Sequence, residues 1–183
     1  MKINEAHQLE GQWPYGLEHF SSPFFNARPI NLEINLLVIH CISLPEGEYE
    51  NGYISKLFMG NLNIQAHQNF EILNGLKVSS HIVITRSGKI MQFVPFNQRA
   101  WHAGVSSFEG RDNCNDYSIG IELEGTDKDF FTEVQYEALN YLIALMCAKY
   151  PGIIHSRIVG HSDIAPVRKT DPGVGFDWSR ISC

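Results

Sequence analysis

The sequence predicts an α+β fold in which α-helices flank a mixed central β-sheet. Residues 34–41 form a short, continuously apolar run, which is typical of a strand buried on both faces. Residues 79–95 resemble two strands joined by a tight Ser-Gly turn, and a long amphipathic segment follows residue 131. Because strands and helices alternate unevenly around a hairpin, we expect a mixed sheet rather than a regular doubly wound one.

The remaining elements have local signals of their own. Residues 117–125 alternate as a strand does between two different environments. Ile119, Ile121 and Leu123 share one face of this predicted strand, and Gly120, Glu122 and Glu124 share the other. The long helix begins after Thr132, which can form a capping box with Gln135, and ends at Pro151-Gly152. Short helices are expected at 55–60 and 66–73, and a short strand at 156–160.

The length and composition are those of an ordinary globular protein. At 183 residues the chain is expected to form a single domain over 1–183, with residues 1–30 as an irregular lead-in packed on it. The apolar fraction is 44% and the net charge is −6, without a block of like charges. That charge argues against a nucleic-acid partner. No obligate protein partner is expected either.

Targeting and redox signals are weak in this sequence. Its first residues have no apolar stretch of signal-peptide length, and its apolar runs are too short to span a bilayer. We therefore expect a cytoplasmic protein that does not associate with membranes. The four cysteines form no C-x-x-C pair, so we interpret all of them as reduced thiols. They are Cys41, Cys114, Cys147 and Cys183.

Three residues could bind a catalytic metal ion. His40 ends one predicted strand, His161 follows another, and Asp171 lies ten residues further on in a Pro- and Gly-rich segment. Two imidazoles and one carboxylate suffice to hold a catalytic zinc with one position open. Spacing alone does not decide the matter, because the chain has eight histidines and most histidines are structural or exposed.

Two further residues fit the chemistry of such a site. Glu122 could act as a general base if its face of the strand lines a cleft, although the same face could simply meet solvent. Lys169 precedes Asp171 by two positions, so in an extended segment both side chains point the same way. Its ammonium group could stabilise an oxyanion, or it could be a solvated loop lysine.

Three long segments, LLVIHCISLP, RAWHAGVSSFEGRDNCNDYSIGIELEG and GHSDIAPVRKTDPGVGFDW, carry a resemblance to a known family. They closely resemble the zinc-dependent N-acetylmuramoyl-L-alanine amidases, and within these the cytoplasmic AmpD type of cell-wall recycling. The similarity covers about residues 30–180. It implies the mixed sheet shared with phage amidases and peptidoglycan recognition proteins.

The resemblance also implies residue roles. It assigns one zinc ion to His40, His161 and Asp171, makes Glu122 the acid/base and makes Lys169 the residue that stabilises the transition state. The implied reaction is hydrolysis of the amide between the lactyl group of 1,6-anhydro-N-acetylmuramic acid and L-alanine in small muropeptides. In some bacteria these muropeptides induce β-lactamase, so such an enzyme would lower that signal.

The substrate contacts of the branch do not transfer residue by residue, because the sequence departs from it at three positions. Cys41 stands where Asn is usual, and Lys77 and Asn113 stand where Arg is usual. Lysine does not reproduce the planar fork of arginine. The expected substrate contacts are therefore Trp101, which could stack on the sugar, Lys77 and His102.

Two other interpretations remain open at this stage. The first is a muropeptide sensor that keeps the pocket without turnover. The second makes Cys41 a nucleophile activated by His40, which is disfavoured because neighbouring residues of a strand point to opposite faces.

Overall fold

A computed structural model describes residues 1–183, with twelve strands, three α-helices and five 3₁₀ segments. The α-helices are α1 (Tyr53–Phe58), α2 (Glu133–Lys149) and α3 (His161–Ile164). The strands are β1 (Lys2–Ile3), β2 (Leu9–Glu10), β3 (Leu17–His19), β4 (Phe25–Ala27), β5 (Leu36–Ile42), β6 (Ile82–Ile84), β7 (Ile90–Gln92), β8 (Gln98–Ala100), β9 (Ser107–Phe108), β10 (Arg111–Asp112), β11 (Ser118–Glu124) and β12 (Ile158–Gly160). The 3₁₀ segments are Ile64–Ala66, Gln68–Leu73, Cys114–Asp116, His155–Arg157 and Trp178–Arg180.

Six strands form the central sheet in the order β12-β5-β11-β6-β7-β3. The four from β12 to β6 run parallel, β7 runs antiparallel to β6, and β3 runs parallel to β7. The sheet is therefore mixed, and helices pack on it. The predicted fold class is confirmed. None of the helices combines the length and apolar composition that a bilayer crossing requires.

One face of the two central strands packs against α2, and we call it the α2 face. Its sheet residues are Leu37, Ile39, Ile119, Ile121 and Leu123. The helix contributes Ala138, Leu139, Leu142, Ile143 and Met146 to the same buried cluster. The predicted capping box begins this helix: Gln135 N donates to Thr132 Oγ1 at 3.2 Å, and Thr132 N donates to Gln135 Oε1 at 3.0 Å.

The opposite face of the same strands, which we call the site face, presents Leu36, Val38, His40, Gly120, Glu122 and Glu124. Two separate apolar clusters cover its ends. Helix α1 and Phe70 pack over β6 and β7, whereas Ala103, Cys114, Tyr117 and Ile164 pack over the start of β5. A cavity is left between the two clusters, at the carboxyl end of β5.

Two sequence expectations need correction. The first 30 residues, expected to be irregular, contain regular strands: β3 extends the central sheet and β4 pairs with β8. These strands are too short to show a periodic pattern. The expectation of four reduced cysteines is wrong, because Cys147 and Cys183 form a disulfide across 36 residues of chain. Only the fold brings these two positions together; Cys41 and Cys114 are free.

Candidate functional site

The strand register places the predicted site residues side by side. In the parallel pair of β5 and β11, His40 lies opposite Glu122. On the other side of β5, Gly160 of β12 lies opposite Ile39, so the next residue, His161, begins α3 beside His40. The carboxyl ends of parallel strands therefore deliver three functional side chains to one edge of the sheet.

Three potential ligand atoms converge at this edge. His40 Nδ1 and His161 Nδ1 lie 3.0 Å apart, and they lie 3.0 Å and 3.1 Å from Asp171 Oδ2. Both imidazoles are buried and the carboxylate is partly buried. The structure thus brings together all three residues that the sequence analysis assigned to a metal.

The loop that carries Asp171 is held by several contacts with the rest of the fold. Ser162 N donates to the Asp171 carbonyl at 3.0 Å, and Thr170 Oγ1 donates to Asp127 Oδ2 at 2.8 Å. Gly173 has φ +91° and approaches the Asp127 carbonyl so closely that a Cβ would lie 1.9 Å from its oxygen. Glycine is therefore required at this turn.

The chemistry of these donor atoms fits a divalent cation. His161 Nε2 lies 3.1 Å from the Ala103 carbonyl oxygen, which can only accept, so Nε2 carries the ring proton and Nδ1 presents a lone pair. That lone pair faces the Asp171 carboxylate, another acceptor. Burial lowers the pKa of His40 to about 4, so this ring is neutral at neutral pH.

The spacing of the three atoms also fits zinc. Ligands about 2.0 Å from a tetrahedral zinc lie about 3.3 Å from one another, close to the separations found here. His40, His161 and Asp171 are therefore compatible with a metal site.

Glu122 and Lys169 line the same cavity of about 480 Å³ as the three ligand residues. Glu122 is only 8% exposed, and no hydrogen bond within the protein holds its carboxylate. Burial, reinforced by the negative charge of Asp171, raises the pKa of Glu122 well above its usual value, and Lys169 opposes this shift. A buried carboxyl that favours its proton suits a group that must accept and return one.

All three predicted substrate contacts also line this cavity. Lys77 is exposed, and Trp101 is half-buried, with its indole Nε1 donating to Asn26 Oδ1 at 2.7 Å. His102 is buried, and both of its ring nitrogens have partners within the protein: His40 Nε2 at 2.9 Å and Ser118 Oγ at 3.2 Å. Trp101 and Lys77 thus keep surface available for a ligand, whereas His102 offers no free nitrogen.

The alternative role of Cys41 finds no support in the geometry. Its side chain packs against the α2-face cluster, on the opposite side of β5 from His40. Burial, followed by the charge of Glu122, raises the pKa of the Cys41 thiol. A thiol that holds its proton this strongly is a poor nucleophile. Asn113 lies in a left-handed turn and is not part of the cavity lining.

Sequence reasoning missed three residues around the site. Asn115 Oδ1 accepts the backbone N–H groups of His102 and Ala103, and Arg168 donates to the Ala103 carbonyl at 2.8 Å. Arg28 donates to backbone carbonyls at both ends of the 115–118 segment. The quoted motifs contained Asn115 and Arg168, but only the folded backbone shows what these side chains bind.

A larger cavity, of about 670 Å³, lies beside α1 and the β6–β7 hairpin. Its lining includes Glu18, Glu50 and Lys89, but none of the histidines. Two of its charged groups already pair with each other, since Lys89 Nζ lies 3.1 Å from Glu18 Oε1. We place the functional site in the smaller cavity because the ligand atoms and the unpaired carboxylate meet there.

Similarity to known proteins agrees with this geometry. The sequence pattern of a family described as N-acetylmuramoyl-L-alanine amidase matches residues 30–174. The chain belongs to the N-acetylmuramoyl-L-alanine amidase family. This amidase is 49% identical over 173 residues to the 1,6-anhydro-N-acetylmuramyl-L-alanine amidase AmpD of Enterobacter cloacae, covering 94% of the chain and 92% of that relative.

Solved structures of relatives share its fold. A crystal structure of a selenomethionine derivative of AmpD has a TM-score of 0.90 and 46% identity, covering 98% of this chain and 97% of that one. The amidase AmiD from E. coli, in complex with anhydro-N-acetylmuramic acid-L-Ala-D-γ-Glu-L-Lys, has a TM-score of 0.62 and 32% identity, covering 84% of this chain and 58% of that one. The resemblance of this amidase to the AmpD type is confirmed.

Proposed function

We propose that this amidase uses zinc to hydrolyse the amide between the lactyl group of 1,6-anhydro-N-acetylmuramic acid and L-alanine in muropeptides. The observation that carries the proposal is the convergence of His40, His161 and Asp171 in a cavity that also holds Glu122. The likeness to relatives named 1,6-anhydro-N-acetylmuramyl-L-alanine amidase supports the substrate class.

The two histidines and Asp171 would hold the zinc ion through Nδ1, Nδ1 and a carboxylate oxygen. Zinc bound there would supply a Lewis acid that polarises a carbonyl and makes water a stronger acid. The protein contributes three pre-placed donors, two of them on buried rings, so little reorganisation is needed on loading.

Glu122 moves the proton in this proposal. Its carboxylate takes a proton from the attacking water as the new bond to the amide carbon forms. The same carboxyl then returns that proton to the alanine nitrogen as the amide C–N bond breaks. The products are a muramic carboxylate, which gains the oxygen of water, and a peptide whose free amino terminus gains the proton.

Lys169, Trp101 and Lys77 complete the proposal. The Lys169 ammonium group lines the cavity with Glu122 and Asp171, where it would stabilise negative charge that develops on the carbonyl oxygen. Trp101 would stack on the sugar, and Lys77 would meet an anionic group at the rim. These roles are tested by separate effects on kcat and KM.

The setting proposed for this reaction is cytoplasmic recycling of cell-wall fragments. It rests on the resemblance of the sequence to the recycling branch of the family. Cells that lack the protein should accumulate anhydro-muropeptides with their peptides attached, as measured by mass spectrometry of the soluble fraction. A cell fractionation that finds the protein only outside the cytoplasm would contradict this setting.

A product assay tests the chemistry directly. Purified protein should contain about one zinc ion per chain by elemental analysis. It should release a peptide that begins with L-alanine from anhydro-muropeptide, faster than from intact peptidoglycan. A chelator should abolish this release, and added zinc should restore it. Full activity in zinc-free protein would overturn the mechanism, and tight binding without product during long incubation would favour a muropeptide sensor.

A further inference from the structure

The outward-facing nitrogens of both zinc-site histidines meet the same short segment of chain. His40 Nε2 lies 2.9 Å from His102 Nδ1, and His161 Nε2 lies 3.1 Å from the carbonyl oxygen of Ala103. One side chain and one backbone group, from consecutive residues, thus contact both rings on the side away from the ligand atoms. The partner of such a nitrogen decides which tautomer the ring adopts.

The hydrogen bonds of Ser118 determine the tautomer of His102. Ser118 Oγ has a single proton, which it donates to the Cys114 carbonyl at 2.6 Å. Towards His102 Nε2, 3.2 Å away, the hydroxyl can therefore only accept. It follows that His102 carries its proton on Nε2 and that its Nδ1 is an acceptor.

The tautomer of His40 then follows from that of His102. Because His102 Nδ1 only accepts, His40 Nε2 must donate to it, and the lone pair of His40 is left on Nδ1. That is the nitrogen which faces Asp171 and His161. A chain of hydrogen bonds therefore runs from the Cys114 carbonyl through Ser118 and His102 to His40 Nε2. This chain leaves the lone pair of His40 on its metal-facing atom, Nδ1.

Two features hold the 102–103 segment in place. Asn115 Oδ1 accepts the N–H of His102 at 3.1 Å and the N–H of Ala103 at 2.8 Å. Gly120 leaves the space that the His102 ring occupies, because a Cβ on Gly120 would lie 2.6 Å from the ring carbon Cγ. A ring so confined, with both nitrogens in use, is placed to orient His40 and not to bind substrate.

We propose that His102 and Asn115 are positioning residues that preset both zinc-site histidines in the Nε2–H tautomer, so that their Nδ1 lone pairs converge before any metal arrives. This inference rests on the proposed zinc function. It replaces the expected role of His102 as a substrate contact, and it assigns Asn115 a role through backbone N–H groups.

The first test needs neither a variant nor an activity measurement. In metal-free protein, long-range ¹H–¹⁵N NMR spectra distinguish histidines protonated on Nε2 from those protonated on Nδ1. We expect His40, His102 and His161 all to be Nε2–H. A wild-type His102 protonated on Nδ1, or a mixture of tautomers at His40, would overturn the proposal.

Variants test whether the tautomers preset by His102 affect metal binding. His102→Phe keeps a ring but removes the acceptor, and we expect zinc affinity, measured by competition with a chelating dye, to fall roughly 10–100-fold. His102→Asn retains an acceptor near the position of Nδ1 and should recover most of the loss. The control is His81→Phe, because His81 is also buried and hydrogen-bonded and contacts neither zinc-site histidine. Its ring centroid lies 5.7 Å from that of His102, so a much smaller loss of zinc affinity is expected than for His102→Phe.

The outcomes separate this inference from the function on which it rests. Unchanged zinc affinity and unchanged His40 tautomer in folded His102→Phe would overturn the inference while leaving the amidase proposal intact. Wild-type protein that binds no zinc would instead contradict the proposed function, and the tautomers of the metal-free protein would still be measurable. If His102→Phe does not fold, Ser118→Ala provides the second variant, with a mixed His102 tautomer expected and an unchanged one contradicting the proposal.

Discussion

Strands β5 and β11 present alternate residues to two different environments. On the α2 face, the side chains are aliphatic and pack into one buried cluster with helix α2. On the site face, the same two strands present a histidine, a glycine and two glutamates in addition to Leu36 and Val38. Both faces are almost equally buried: Glu122 is 8% exposed and Glu124 is 2% exposed.

The difference lies in what determines each residue. On the α2 face, the requirement is apolar volume, which several side chains satisfy at modest cost. On the site face, each residue has an individual reason: His40 aims one atom at the ligand cluster, and Gly120 leaves room for His102. Substitutions on the two faces should therefore fail in different ways, one through stability and the other through chemistry.

The largest effect is expected for Glu122→Gln. Removal of the group that accepts the proton should lower kcat by about 10²–10⁴-fold without loss of bound zinc. The matched control is Glu124→Gln, at a buried position on the same face. The Glu124 carboxylate accepts the backbone N–H groups of Glu50 and Arg86, so it is not free to take a proton from water and its replacement should leave kcat near the wild-type value. Steady-state kinetics and zinc content check both variants, and a Glu122→Gln enzyme of normal kcat would remove Glu122 from the mechanism.

On the α2 face, Leu142→Ala should cost about 2–5 kcal/mol of unfolding free energy, because it leaves a cavity beside the sheet. Urea denaturation measures this loss. Zinc affinity of the folded fraction should be unchanged, since no ligand residue contacts that face. Leu145→Ala, at a partly buried position of the same helix, should cost less. An equal loss in both variants would contradict the packing described here.

Two glycines allow the two faces to be compared through the addition of a single methyl group. Gly120→Ala would place a Cβ 2.6 Å from the His102 ring, and Gly125→Ala would place one 2.7 Å from the Phe131 ring. Each should cost about 1–3 kcal/mol through overpacking. Only Gly120→Ala should also weaken zinc binding, because it displaces the ring that orients His40. Equal zinc affinities in the two variants would contradict the distinction.

The smallest effect expected is a pH dependence of stability in metal-free protein. The pKa of Glu122 is raised above its usual 4.5, mainly by burial, with Asp171 adding to the shift and Lys169 opposing it. As the pH rises from 4.5 through this raised pKa, the unfolded state releases the proton first, so the unfolding free energy falls. Glu122→Gln does not titrate and should lack that decline, which the difference between the two urea-denaturation profiles would reveal. A difference that is flat with pH would contradict the shift.

Local patterns were sufficient to predict the main elements of the fold. The apolar run at 34–41, the alternation at 117–125 and the capping box at Thr132 each correspond to an element of the structure. Both faces of β11 could be assigned from the sequence because side chains alternate along a strand. The alternative in which Glu122 and Glu124 face solvent is wrong, because both are buried.

Contacts between distant parts of the chain could not be predicted from such patterns. The addition of β3 to the sheet joins residues 17–19 to residues 90–92, and the disulfide joins Cys147 to Cys183. Neither pairing leaves a periodic signal. His40, His161 and Asp171 can be identified from their positions in the sequence and from the family resemblance, whereas the partners of His102 are visible only in the atomic distances.

Arg28, which lies before the family match, ties the beginning of the chain to the segment beside the site. Its guanidinium group donates to the carbonyls of Asn115, Asp116, Ser118 and Phe96. The family match starts at residue 30, so a fragment cut at that boundary would retain every residue of the proposed zinc site yet lose this tether. Such a trimmed protein should bind zinc more weakly than the full chain. The part of the chain that such an enzyme needs therefore includes Arg28 as well as strands β3 and β4, all of which lie before the family match.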